Sequence, residues 1–212
     1  MATRSKSTRH LDDRDETAVR RRILEAAFAA FMKNGYAATS TLEIATRARV
    51  SKRDLYALVG NKQKMLMACI AERARRFQMP TDLPAPRDRE SLGRLLYSFG
   101  ARLLREVSEP KVIAVFRLAI AEAANAPEVA RTLDSTGRQA GRTALRNIMQ
   151  QAQTSGLLDG PPAELAEQFR ALLWGDLMVS LLLGVAHRPN LREIATRARN
   201  AAAAFLQRLK AH

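Results

Sequence analysis

The stretch Ser40–Leu66, "STLEIATRARVSKRDLYALVGNKQKML", decides the fold. It holds three short runs of helical periodicity, each opened by a small polar residue. Ser40-Thr41-Leu42-Glu43 has the capping-box pattern, in which a hydroxyl and a carboxylate three residues apart satisfy free amides at a helix start. Ser51-Lys52-Arg53-Asp54 repeats the pattern with Asp in place of Glu. Asn61 is a good N-cap for the third run. Only Arg49 and Val50 separate the first two helices, which is a helix-turn-helix spacing. Leu42, Ala45 and Ala48 are expected to face inward from the first helix, and Leu55 and Val59 from the second. Leu66, Ile70, Ala74 and Phe77 form the stripe of the third.

Upstream, Thr17–Lys33 reads as a helix with Ile23, Ala27 and Phe31 on one face. Asn34-Gly35 ends it, because glycine accepts the left-handed conformation at a helix C-terminus. Residues 1–16 mix Arg and Lys with a run of acids and lack apolar partners, so a flexible arm is expected. Downstream, "MPTDLPAPRDR" (Met79–Arg89) carries three prolines and reads as a hinge. The expected division is therefore an arm at 1–16, a helix-turn-helix domain at 17–78 and a larger helical domain at 79–212. Five further helices are predicted at about 90–108, 110–124, 127–155, 162–184 and 190–210. Prolines stand at the starts of most of them.

Composition agrees with an all-α protein. Hydrophobic residues make up 47% of the 212, aromatics only 5%, and the alternation expected of strands is scarce. The formal net charge is +14, and residues 1–80 hold 17 of the 35 Lys and Arg but 8 of the 21 Asp and Glu. A compact basic segment is the electrostatic footprint of a polyanion partner. A merely solvated basic face gives the same count, so charge alone does not decide. One cysteine, Cys69, leaves no intrachain disulfide and suits a reducing compartment. The longest apolar run, Leu177–Val185, is too short for a membrane span. The polar, basic N-terminus does not read as a signal peptide. A cytoplasmic location is expected.

Enzymatic chemistry finds no support. The three histidines, His10, His187 and His212, fall in a tail, a loop and the terminus. No metal-ligand spacing and no phosphate-cradling glycine loop is present, so neither metal nor cofactor is expected.

The segment "ILEAAFAAFMKNGYAATSTLEIATRARVSKRDLYALVGNKQKML" (Ile23–Leu66) resembles the N-terminal domain of TetR-family bacterial transcription regulators. Many positions agree at fixed spacing over about Arg20 to Ile70. Val115–Leu133 and Gln153–Gly175 resemble the second domain of AcrR/AefR-like members. Two departures stand out: Arg49 where the family usually has glycine, and Asp54 where a threonine is common.

The resemblance implies a helix-turn-helix domain on double-stranded DNA, with a palindromic operator and a homodimer. Thr41, Tyr56 and Lys62 are then expected on the DNA backbone, with Ser40 and Ser51 at the helix starts. Lys52 and Arg53 are the candidates for base readout, since either donates to guanine O6 and N7. Ala57 is placed to pack on a thymine methyl, and Arg47 and Arg49 to track phosphates. A cavity for a small hydrophobic ligand is expected in the second domain. Phe99, Phe116, Ile120, Leu145, Met149, Trp174 and Met178 are its candidate walls and Arg117 a polar contact. For all of these, ordinary core packing is the competing reading. The last two helices suit a four-helix interface across a two-fold axis, through Phe169, Leu173, Leu177, Ala198, Ala202, Phe205 and Leu209. An intrachain hairpin is the alternative there. The functional expectation is a repressor released by its ligand. The alternatives are a constitutive DNA-binding regulator, and a basic helical protein on RNA or membrane surfaces.

Overall fold

The computed structural model describes residues 5–75 and 85–208, and the side chains of 15–72 and 85–208. Among the described residues all regular structure is helical. They divide into two compact units. The first holds the chain up to Glu72 together with Leu118–Thr136; the second holds the described parts of Arg73–Arg117 and Gly137–His212. The sequence reading cuts the chain once, near residue 79. This partition instead returns Leu118–Thr136 to the first unit. The Pro80–Pro86 hinge lies largely outside the described residues, as do the side chains of Ala74 and Phe77.

The first unit contains α1 (Ser5–Asn34), α2 (Thr41–Ala48), α3 (Lys52–Leu58) and most of α4 (Lys62–Arg75). α1 begins at Ser5, not at Thr17. No glycine or proline interrupts the sequence before Asn34, so nothing local stops the helix from growing toward its N-terminus. Gly35 closes it with φ +81°, as expected of a left-handed cap. Ile23, Ala27 and Phe31 of α1 are buried, as are Ile44, Ala45 and Ala48 of α2, Leu55 of α3 and Met65, Leu66 and Ile70 of α4. Cys69 is buried there, its thiol 3.4 Å from the Leu24 carbonyl, and packs as a small apolar residue. One inward assignment fails: Leu42 is 62% exposed, and Ile44 takes its place. An eight-residue helix has little more than two turns, too few to fix the phase of its apolar face from sequence.

The second unit is built on α5 (Arg89–Val107), the first part of α6 (Pro110–Ala121), α8 (Gln139–Thr154), α9 (Pro162–Trp174), α10 (Leu177–Leu183) and α11 (Leu191–Arg208). The helix predicted over 127–155 is interrupted. α7 (Pro127–Thr132) passes into a π-helical turn, Leu133–Arg138, before α8 begins. The helix predicted over 162–184 breaks at Gly175, whose φ of +45° and ψ of −129° lie outside the helical region.

Leu96 and Phe99 of α5, Met149 of α8, Phe169 and Leu173 of α9, and Ala198 and Phe205 of α11 form one core. The rings of Phe169 and Phe205 meet edge to face at 5.7 Å and 83°. Gly100 is what lets α5 approach: a Cβ there would lie 3.0 Å from Leu173 Cδ1 and 3.6 Å from Ala198 Cβ.

Candidate nucleic-acid interface

The caps that the sequence suggests are made, but only in part as boxes. Ser40 Oγ accepts from the Glu43 amide at 3.1 Å, starting α2. The Glu43 carboxylate does not return to Ser40. It accepts from Asn34 Nδ2 at 2.9 and 3.0 Å and ties α2 to the end of α1. Ser51 Oγ accepts from the Asp54 amide at 3.0 Å and donates to Asp54 Oδ2 at 2.7 Å. Asp54 is thus a cap whose charge is partly taken up by its own N-cap hydroxyl. Asn61 Oδ1 accepts from the Lys64 amide at 2.9 Å.

Between α2 and α3, Arg49 sits at φ 55°, ψ 50°, the one positive-φ residue besides glycines among those described. The Val50 amide donates to the Ala45 carbonyl at 3.1 Å, closing α2 in a Schellman-type turn. The turn therefore keeps the geometry glycine would supply, but with a guanidinium side chain at its tip. A non-glycine residue there costs about 1–2 kcal/mol.

α3 buries Leu55 and presents Lys52, Arg53, Tyr56 and Ala57 to solvent. Tyr56, 44% exposed, brings its hydroxyl to 3.3 Å from Thr41 Oγ1 at the start of α2. A hydroxyl from α3 thus meets the first turn of α2, whose free amides suit a phosphate. Arg47 is exposed and 3.8 Å from Glu43, a surface pair of little energetic weight.

Lys62 differs from the expected free phosphate donor. Its ammonium donates to the carbonyls of Tyr36, Ala37 and Thr39 at 3.0, 3.1 and 3.3 Å and stands 4.7 Å from the Tyr36 ring centroid. Three carbonyls match the three N–H groups of an ammonium, so Lys62 holds the α1–α2 turn. A residue that sequence reasoning missed grips the other side of the same turn. Glu122 Oε1 accepts from the amides of Tyr36 and Ala37 at 2.7 and 3.2 Å. No local pattern announces it. Tyr36 is buried, and its phenol is pushed above the usual tyrosine range, first by burial and then by the charges of Glu128 and Glu122.

The residues proposed for the second domain disperse. Phe99, Leu145, Met149 and Trp174 belong to the core of the second unit, with Met178 packed against it. Phe116 is half-buried, and Ile120 is 61% exposed in the first unit, so it is no wall of that core. Arg117 donates to the carbonyls of Leu182 and Leu181 at 2.9 and 2.8 Å, capping the end of α10. Of the dimerisation candidates, Phe169, Leu173, Ala198, Ala202 and Phe205 are buried inside their own subunit and offer nothing to a partner. Leu177 is half-buried, and Leu209 lies outside the described residues. Periodicity correctly marked a buried face on these helices, but that face belongs to the intrachain core.

The geometry defines a helix-turn-helix DNA reader in one chain with a larger helical unit. A family model for bacterial regulatory proteins of the tetR family matches residues 23–69. A second, for the C-terminal domain of AefR-like transcriptional repressors, matches residues 94–211, more than half of the chain. Solved structures agree over nearly the whole length. The flavonoid-responsive regulator FrrA is 27% identical, covers 91% of this chain and 97% of its own, and has a TM-score of 0.75. A TetR regulator from Agrobacterium tumefaciens is 26% identical, with 89% and 93% covered and a TM-score of 0.73. A TetR-family regulator from Mesorhizobium loti is 25% identical, with 91% and 96% covered and a TM-score of 0.71. No curated protein matches the chain. The chain belongs to the TetR family of bacterial transcription regulators, with an AefR-like C-terminal domain. It is a DNA-binding transcription factor and not an enzyme. No described helix is long and apolar enough to cross a membrane.

Proposed function

We propose that this regulator is a homodimeric repressor of a palindromic operator, released by a small, mostly apolar ligand. The observation that carries the DNA half is the solvent-facing set on α3, Lys52, Arg53, Tyr56 and Ala57, behind the Thr41–Tyr56 hydroxyl pair. Lys52 and Arg53 read bases at the N-terminal end of a helix short enough to lie in the major groove. Thr41, Tyr56, Arg47 and Arg49 hold phosphates, and Ser40 and Ser51 add helix-start amides. Lys62 acts indirectly, by holding the α1–α2 turn.

The dimer is assigned to the outer faces of α9 to α11. Val179 and Leu183, on α10, are 52% and 72% exposed and lack cover within the subunit. The two-fold then sets the recognition helices about 34–36 Å apart, one turn of DNA, or a multiple of it. The ligand half rests on the AefR-like match and on the likeness to a flavonoid-responsive regulator. The ligand is taken to enter beside Trp174 and Met178, where the flexible thioether can shift to admit it. A ligand releases DNA only through unequal affinity for two states, typically about 1–3 kcal/mol of coupling.

The test is operator affinity with and without flavonoids and related aromatics, in wild type and Trp174→Ala. Release that Trp174→Ala weakens supports the reading. Ligands that bind without changing DNA affinity make the protein a constitutive regulator.

A further inference from the structure

The turn from α1 into the DNA-reading helices is held from two sides by groups outside it. Gly35, at φ +81°, is followed by two successive backbone amides, those of Tyr36 and Ala37, that converge on one carboxylate oxygen of Glu122. Consecutive amides after a left-handed residue form an anion-binding nest. Here the anion is supplied by the chain itself. The carbonyls of Tyr36, Ala37 and Thr39 turn instead to the Lys62 ammonium. Thr39 Oγ1 closes the turn by donating to the Gly35 carbonyl at 2.7 Å. Ser40, the N-cap of α2, follows directly.

The Glu122 site is tight. The residue is only 8% exposed, and a Cβ on Gly35 would lie 2.9 Å from Oε1. A buried carboxylate on two amides forms charge-assisted bonds, roughly twice as strong as neutral ones. Without it, two amides of the turn that leads into α2 lose their acceptor. Glu122 lies just beyond α6 and outside the 23–69 segment that defines the DNA-binding family match.

We infer that Glu122 is a positioning residue for DNA binding: its carboxylate, from beyond α6, and Lys62, from α4, clamp the amide and carbonyl sides of the α1–α2 turn and so fix α2 and α3 against α1. This rests on the reading of α3 as the DNA-contacting helix. Glu122 itself touches no DNA in this account.

The experiment uses the full-length protein and Glu122→Ala and Glu122→Gln. The DNA probe is a duplex selected by the wild type from a random pool. Amide hydrogen exchange at Tyr36 and Ala37 is followed in the DNA-free protein. Affinity is measured at several salt concentrations, corrected for the folded fraction. Glu122→Ala is expected to speed exchange at both amides and to weaken the selected duplex about tenfold, within the range typical of coupled sites. Its salt slope should match wild type, because no phosphate contact is removed. Glu122→Gln keeps an acceptor oxygen and should recover most of both losses. The inference is overturned if Glu122→Ala exchanges or binds as wild type does. It is also overturned if the salt slope falls, or if Glu122→Gln gives no rescue. A wild type that selects no sequence sinks the DNA-reading assignment instead, and the exchange data still judge the clamp.

Discussion

The hydroxyls of Thr41 and Tyr56 lie 3.3 Å apart, one on the first turn of α2 and the other on α3. Each has a lone pair or proton left over, so a phosphate oxygen can join the pair. Tyr56→Phe should therefore weaken operator and random duplexes alike, by about 0.5–1.5 kcal/mol, the usual worth of one hydrogen bond. Titration of both duplexes checks this. A loss confined to the operator would make Tyr56 a base reader.

Arg49 predicts two effects of opposite sign. Its left-handed backbone costs stability, and Arg49→Gly relieves that cost, less the extra freedom glycine gives the unfolded chain. The net gain should be about 0.5–1 kcal/mol in chemical denaturation. The same substitution removes a cation proposed to track phosphates, so the log–log salt slope of binding should fall by about one. Greater stability with an unchanged slope would leave Arg49 as strain without a phosphate.

The legibility of the chain follows the range of its interactions. Ser40, Ser51 and Asn61 were readable as caps because a cap bonds within three residues of itself. Leu55, Leu66 and Ile70 were readable because a buried stripe has a period. Leu42 was misplaced because two turns of α2 do not fix its phase. Gly175 passed unnoticed as a break, since a lone glycine inside an apolar run carries no proline or polar cap to mark it. Phe169 and Phe205 were recognised as buried, but periodicity does not say against what. Glu122 had no sequence signal at all: its partner Tyr36 is 86 residues away.

That distinction between core and interface gives the next prediction. Phe205 is 1% exposed, so Phe205→Ala should destabilise each subunit by about 3–5 kcal/mol. Val179→Glu and Leu183→Glu should leave the unfolding of the isolated subunit nearly unchanged and dissociate the dimer. Sedimentation at micromolar concentration, paired with denaturation curves, separates the two effects. If Leu183→Glu and Val179→Glu both remain dimeric, the partner sits on another face.

Tyr36 predicts a limit at high pH. Its folded value is raised by burial and by Glu128 and Glu122, so the folded state keeps the proton where the unfolded state has lost it. Its contribution to stability is then complete below the ordinary tyrosine range, about pH 10. It is lost as pH climbs through the raised value. The comparison is made against Tyr36→Phe, which keeps a ring beneath the Lys62 ammonium and removes only the phenol. Denaturation midpoints should fall more steeply with alkali in wild type than in that variant. Equal slopes would mean that Tyr36 ionises freely.

Lys52 and Arg53 are the residues through which α3 is proposed to read sequence. The most direct test is the ratio of affinities for a selected duplex and a scrambled one, measured at one salt concentration for wild type, Lys52→Ala and Arg53→Ala. Each substitution should reduce this ratio by about 1–3 kcal/mol at particular base pairs, with a smaller loss on scrambled DNA. Equal losses on both duplexes for both variants would contradict that reading and leave these cations as phosphate contacts only.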